Sequence, residues 1–220
     1  MTIVYKTRTQ LVVETLREKI LSGELKAGES LRQASLAAEL NVSRIPVREA
    51  LLHLEGEGLV VFEAHKGATV TELNAKHVAE LFELRAMLEG HLLAASLPFL
   101  TDKKLTEAND ILIELDQALG KENATNTWSE LNSRFHNCLY SGANRPQTQD
   151  LVNTLNKNAD RYIRMHLLWA GGISKAGPEH HQLLAFCKTG DVDKAVEVLK
   201  HHILSSRNEI KAFLEQRELM

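Results

Sequence analysis

Ten histidines occur in 220 residues, and eight of them follow residue 71. Imidazole binds Zn²⁺ and related first-row ions well, so their spacing decides what they can do. Asn132 and His136 are four residues apart and share one face of a helix. His180 is in line with the apolar positions Leu183, Leu184 and Cys187, and His202 with Ala195 and Leu199. Both therefore turn inward. The choice of His180 over His181, and of His202 over His201, rests on register, and a slip of one residue exchanges them. A single inward histidine is ordinarily a satisfied core residue. Three of them, from three helices, make a candidate cation site whose shell an Asn carbonyl oxygen can complete. Three histidines and an open position also describe a hydrolytic zinc site. Hydrolysis needs a general acid or base within reach. The chain has no H-E-x-x-H arrangement and no nucleophile elbow, so the pattern favours binding over catalysis.

A second chemistry lies in 43-SRIPVREALLHLEGEGLV-60. Ser43 stands where a helix cap accepts the free N–H groups of the first turn. Pro46 falls within that turn, where its missing N–H costs no hydrogen bond. Val47, Ala50, Leu51 and Leu54 form a buried face, while Arg44 and Arg48 sit one turn apart on the other face. Arginines at the start of such a helix suit DNA, because a guanidinium pairs bidentately with guanine or clamps a phosphate. Decorative surface arginines are the plain alternative.

The elements that must position these groups are mostly helical. Helical spacing runs from Leu11 to Leu21, a turn covers 23–31, and a short helix spans about 36–40 with Ser35 as a candidate cap. The capped helix follows, then two short strands within 59–73 joined by a turn at 64–67. Helix, helix, helix, hairpin is a winged helix–turn–helix, a compact DNA-reading unit. Beyond it, helices are expected over about 75–96, 102–120, 125–140, 147–169, 176–188 and 192–215. The predicted fold is thus mainly α: a winged helix–turn–helix in 1–73, then an antiparallel helical bundle in 74–220.

Bulk properties agree with that reading. Apolar residues make up 44% of the chain, enough for a sizeable core. The net charge is −3, and residues 1–70 balance nine Lys/Arg against nine Asp/Glu, so any DNA-facing patch must be local. The two cysteines, Cys138 and Cys187, lie within apolar patterns and read as buried thiols in a reducing compartment. Neither a signal peptide nor a spanning segment is evident, which makes the cytoplasm the expected location.

The string 36-LAAELNVSRIPVREALLHLEGEGLV-60 resembles the winged-helix signature of the GntR family of bacterial transcription regulators. The likeness implies that Arg44 and Arg48 face DNA and that Ser43 adds a phosphate contact. It implies that Lys66 and Gly67, assisted by His65, form a wing tip that approaches the minor groove. Relatives carry a longer charged run before the second helix. Here it is 32-RQASL-36, which leaves Arg32 as the phosphate or base contact at that edge.

Residues 78–205 are similar to the all-helical ligand-binding domain (FCD type) of the FadR-like branch. The likeness is carried by 81-LFELRAMLEG-90, 132-NSRFHNCL-139, 179-EHHQLL-184 and 191-DVDKAVEVLKHHI-203. In metal-binding members an Asp begins an Asp-x-x-x-His element and two later histidines complete the set. Those positions correspond to Asn132, His136, His180 and His202. Asn for Asp removes an anionic ligand and weakens the hold on a dication. Zn²⁺ is the chemical default, with Ni²⁺ and Mn²⁺ as alternatives. The resemblance further implies that Arg85, with Arg161 and Tyr162, meets an effector, and that a carboxylate would suit the guanidinium. A helix-surface pair with Glu89 is the plain reading of Arg85.

The function implied is that of a metabolite-responsive regulator, in the first instance a repressor. It would bind a near-palindromic double-stranded operator as a homodimer and respond to a small organic acid. The competing classes are a metal-dependent hydrolase and an effector-independent structural DNA-binding protein.

Overall fold

The computed structural model describes residues 7–21, 24–63, 67–72, 74–118, 124–170 and 176–218. It falls into two compact units, Met1–Leu73 and Asn74–Met220.

The first unit holds α1 (Arg8–Leu21), α2 (Gln33–Glu39), α3 (Arg44–Gly56) and the strands β1 (Val60–Glu63) and β2 (Gly67–Val70). Val12, Val13, Leu16 and Ile20 of α1 are buried, as are Val47, Ala50, Leu51 and Leu54 of α3, and the two helices pack together. Arg17 on α1 reaches across to the buried carboxylate of Glu57, its Nε donating to Oε2 at 2.8 Å. Helix α2 ends in a left-handed residue, Asn41 (φ 52), and the N–H of Val42 returns to the carbonyl of Ala37 at 3.0 Å. Asn tolerates that conformation, and it sets the tight turn into α3. Gly58 (φ 76) does the same after α3, turning the chain into β1.

Three local expectations are corrected. Helix α2 begins at Gln33, so Ser35 lies inside it and caps nothing. Ser43 occupies the cap position of α3 in an extended conformation, but its side chain makes no capping hydrogen bond. The hydroxyl is exposed, and water competes for it there. Residues 28–31, read as a plain turn, lie along the free edge of β2. Gly28 N donates to Val70 O at 3.0 Å, Val70 N to Glu29 O at 2.9 Å, and Leu31 N to Ala68 O at 2.8 Å. One buried residue there, Leu31, is too short a pattern to signal a strand.

The second unit contains α4 (Ala75–Ser96), a short 3₁₀ turn (Leu97–Phe99), α5 (Asp102–Ala118), α6 (Ala124–Tyr140), α7 (Pro146–Ala170), α8 (Ala176–Thr189) and α9 (Val192–Glu218). Asn74 caps α4, accepting from the N–H groups of Lys76 and His77 at 2.8 and 3.2 Å. Helix α4 packs against α6, α7 and α9, and α8 packs against α5 and α9. Ser96 ties the end of α4 to the α6–α7 turn, donating to Leu139 O at 2.6 Å and accepting from Gly142 N at 2.9 Å. A side chain on Gly142 would meet Ser96 O at 2.7 Å, so that close approach requires glycine. No helix among the described residues is long and apolar enough to cross a membrane.

Candidate DNA interface and metal centre

Helix α3 buries one face and leaves Arg44, Ile45, Arg48 and Leu52 exposed. Arg32, at the start of α2, and Ser43 are also exposed. None of the three arginines pairs with a carboxylate among the described residues, so their charge is available to an anionic partner. The flanking Glu49 is held by α1, its Oε2 accepting from Thr9 Oγ1 at 2.7 Å. Gly67 opens β2 with φ 81, and no atom of the described residues lies within 4 Å of the position of a Cβ. His65 and Lys66 lie outside the described residues.

In the second unit His136 of α6, His180 of α8 and His202 of α9 converge. One nitrogen from each lies within 4.8 Å of the others, and all three side chains are buried. His181 and His201 are exposed, so the register picked the inward member of each pair. Two of the ligand candidates are oriented by neighbours. His202 Nδ1 lies 2.7 Å from Glu179 Oε2, and a carboxylate acceptor there requires the N–H on Nδ1. Tyr140 Oη donates to Glu89 Oε2 at 2.8 Å, and His136 Nδ1 lies 3.4 Å from Tyr140 Oη. With the phenolic proton committed to Glu89, Nδ1 of His136 must be the donor. Both tautomers leave Nε2 as a lone pair, the form that ligates a cation.

Burial, reinforced by the neighbouring His202, holds the pKa of His136 well below the usual imidazole range. Burial does the same for His180, with His202 and His136 adding to it. Neutral rings are the ligating form. Both nitrogens of His180 and Oδ1 of Asn132 are buried and have no hydrogen-bond partner among the described residues. A buried polar atom without a partner costs about 1–3 kcal/mol, and a cation held by these atoms would remove that cost. Asn132 is one turn before His136 on the same helix face. The donor set therefore fits a divalent ion.

The effector candidates are placed differently. Arg85 is buried, and its Nε donates to Glu89 Oε1 at 2.9 Å and to Asn156 Oδ1 at 2.6 Å. The pair with Glu89 is thus an interior ion pair, not the helix-surface pair that i,i+4 spacing suggests. Tyr162 is buried against His77 of α4, with ring centroids 6.3 Å apart. The half-buried Arg161 has its Cζ 5.0 Å from the Tyr162 ring and a buried Nε without a partner. Neither residue makes a ring contact or hydrogen bond with the histidine cluster.

Three comparisons bear on identity. Residues 8–70 match the family profile described as bacterial regulatory proteins, gntR family, and residues 80–205 match the FCD domain. The chain belongs to the GntR family and carries an FCD domain. The HTH-type transcriptional regulator YdhC of Bacillus subtilis (strain 168) is 29% identical over 196 residues, covering 88% of this chain and 84% of its own. The HTH-type transcriptional repressor GlaR of Escherichia coli (strain K12) is 24% identical over 198 residues, covering 86% and 90%. Among solved structures, a GntR-family transcriptional regulator from Pseudomonas syringae pv. tomato str. DC3000 aligns with a TM-score of 0.60 at 30% identity, covering 96% of this chain and 87% of that one. This GntR protein is accordingly a DNA-binding transcriptional regulator, mainly α, with a winged N-terminal unit and an all-helical C-terminal one. Its histidine triad could coordinate a metal ion.

Reasoning from sequence missed Glu179 and Tyr140 in this GntR chain, and it gave Glu89 only as a surface partner of Arg85. Tyr140 had a signal, since it lies four residues beyond His136 on the same face. Glu179 had none, because its partner is on another helix.

Proposed function

We propose that this regulator represses transcription as a two-fold dimer on a near-palindromic operator, and that its FCD unit holds a divalent ion and a small carboxylate effector. Arg44 and Arg48 would meet base edges or phosphates from α3, Arg32 and Ser43 the adjacent backbone, and His65, Lys66 and Gly67 the minor groove. His136, His180 and His202, with the Asn132 carbonyl oxygen, would hold the ion, Zn²⁺ by chemical default and Ni²⁺ or Mn²⁺ otherwise. Bound there, a dication supplies a Lewis-acidic position that a carboxylate can ligate. Arg85 is already neutralised by Glu89, so its part would be to orient the acid by hydrogen bonding, with Arg161 and Tyr162 as further candidates. An effector that binds one arrangement of the two reading heads better than another shifts operator affinity.

The observation that carries the metal reading is the set of three buried imidazoles within 4.8 Å, with both His180 nitrogens unpartnered. The test is selection of genomic fragments by protein purified without a nickel column, repeated with a panel of carboxylic acids and accompanied by metal analysis. Enrichment of a near-palindrome, about one ion per chain and acid-dependent release are expected. Metal-free protein with a full effector response would remove the ion from the mechanism.

A further inference from the structure

Ile45 is 70% exposed, and Leu52, seven residues on along the same side of α3, is 49% exposed. Neither position is explained by the fold of the unit. The core of α3 is made by Pro46, Val47, Ala50, Leu51 and Leu54, all of which point the other way. A β-branched residue is also a poorer helix former at an exposed site than Ala, Glu or Lys, so local propensity does not call for isoleucine. What surrounds Ile45 is more informative. It lies between Arg44 and Arg48, two cations without a carboxylate partner among the described residues. Glu49, one turn after Ile45, is tied to Thr9 of α1 at 2.7 Å. Two cations thus flank this apolar side chain, and the Glu49 carboxylate is drawn toward α1, which suits the polyanionic surface of a duplex and not an apolar protein groove.

The second helix of a helix–turn–helix presents its N-terminal residues to base edges in the major groove. Ile45 is the second residue of α3. A branched aliphatic side chain can read one feature of that groove, the C5-methyl group of thymine, since the other edge groups are hydrogen-bond donors and acceptors. We propose that Ile45 is a specificity-determining residue that packs on a thymine methyl beside a guanine held by Arg44 or Arg48. Leu52 is seven residues further along the helix, about 10.5 Å, or roughly three base-pair steps. It is outside the reach of that methyl group.

The inference rests on the docking of α3 proposed above, and the experiment separates the two. Full-length protein selects sites from a random duplex pool. Each thymine of the selected site is then replaced singly by deoxyuridine, which removes only the C5-methyl group. Affinities are measured for the wild type, Ile45→Ala, Leu52→Ala and Arg48→Ala. Loss of about one buried methyl contact weakens binding about 3- to 10-fold. One thymine in each half-site should show that loss with the wild type and with Leu52→Ala, and none with Ile45→Ala. A selected site that needs Arg48 but shows no methyl-sensitive thymine overturns this inference and leaves the docking standing. Equal methyl sensitivity in the wild type and Ile45→Ala overturns it too. So does equal weakening by Ile45→Ala and Leu52→Ala at every site, which would make the stripe a protein-docking surface. If no sequence is enriched, the docking of α3 fails and this assignment with it.

Discussion

Replacing His180 with leucine should make the metal-free protein more stable. His180 is fully buried, and in its neutral ring one nitrogen is a donor and the other an acceptor, both without a partner. At about 1–3 kcal/mol for each such group, the ring carries roughly 2–6 kcal/mol of penalty when no cation is bound. Leucine removes both polar atoms, and the imperfect fit of its shape costs up to about 1.5 kcal/mol. A net gain of about 1–4 kcal/mol is therefore expected in chelator. Added metal should invert the order. At a free concentration one thousand times its Kd, the ion stabilises the wild type by about 4.1 kcal/mol, while the variant, short of a ligand, gains much less. Urea denaturation followed by tryptophan fluorescence measures this, in EDTA and in buffered Zn²⁺. The signal is local to the right unit, because both tryptophans, Trp128 and Trp169, belong to it and the Trp128 ring lies 6.3 Å from that of His180. A variant less stable than the wild type in chelator would mean that the His180 nitrogens are satisfied without an ion. Equal stabilisation of both proteins by Zn²⁺ would place the ion elsewhere. Either result refutes the reasoning.

Glu179→Gln should weaken metal binding about 10- to 100-fold in a competition titration, because the carboxylate that fixes the His202 tautomer is lost; unchanged affinity would remove Glu179 from that role. Arg48→Ala should cost about 1–3 kcal/mol of operator binding with unchanged circular dichroism, and retained affinity would count against the docking of α3. Metal-free protein should lose stability as pH falls below about 6.5, by about 1.4 kcal/mol per pH unit for each of His136 and His180. Their folded pKa values are depressed by burial, so the unfolded chain takes up protons that the folded one refuses, and stability is flat above neutrality. Denaturation midpoints that do not move between pH 7 and 5 would contradict that assignment.

Much of the architecture was legible because helical periodicity is a local property. The expected span 75–96 coincides with α4, and 192–215 falls within α9, since alternating buried and exposed faces recur every three to four residues. The wing was legible from its turn residues and short apolar strands. Local chemistry was a poorer guide where water competes with it. Ser43 has the residue type and position of a cap and makes no capping bond. The pairing of 28–31 with β2 was hidden because a strand of that length carries no period.

The candidate site divides in the same way. By itself the sequence determined which histidines face inward, since His180 and His202 follow the apolar spacing of their own helices, and it determined the exposed arginines of α3. Only the tertiary structure decided that His136, His180 and His202 meet within 4.8 Å, that Glu179 orients His202 from another helix, and that Arg85 is spent on Glu89 and Asn156. The reason is range. Which face a residue occupies is written in its nearest neighbours along the chain, whereas which faces come together depends on how whole helices pack, and no short stretch of sequence holds that information.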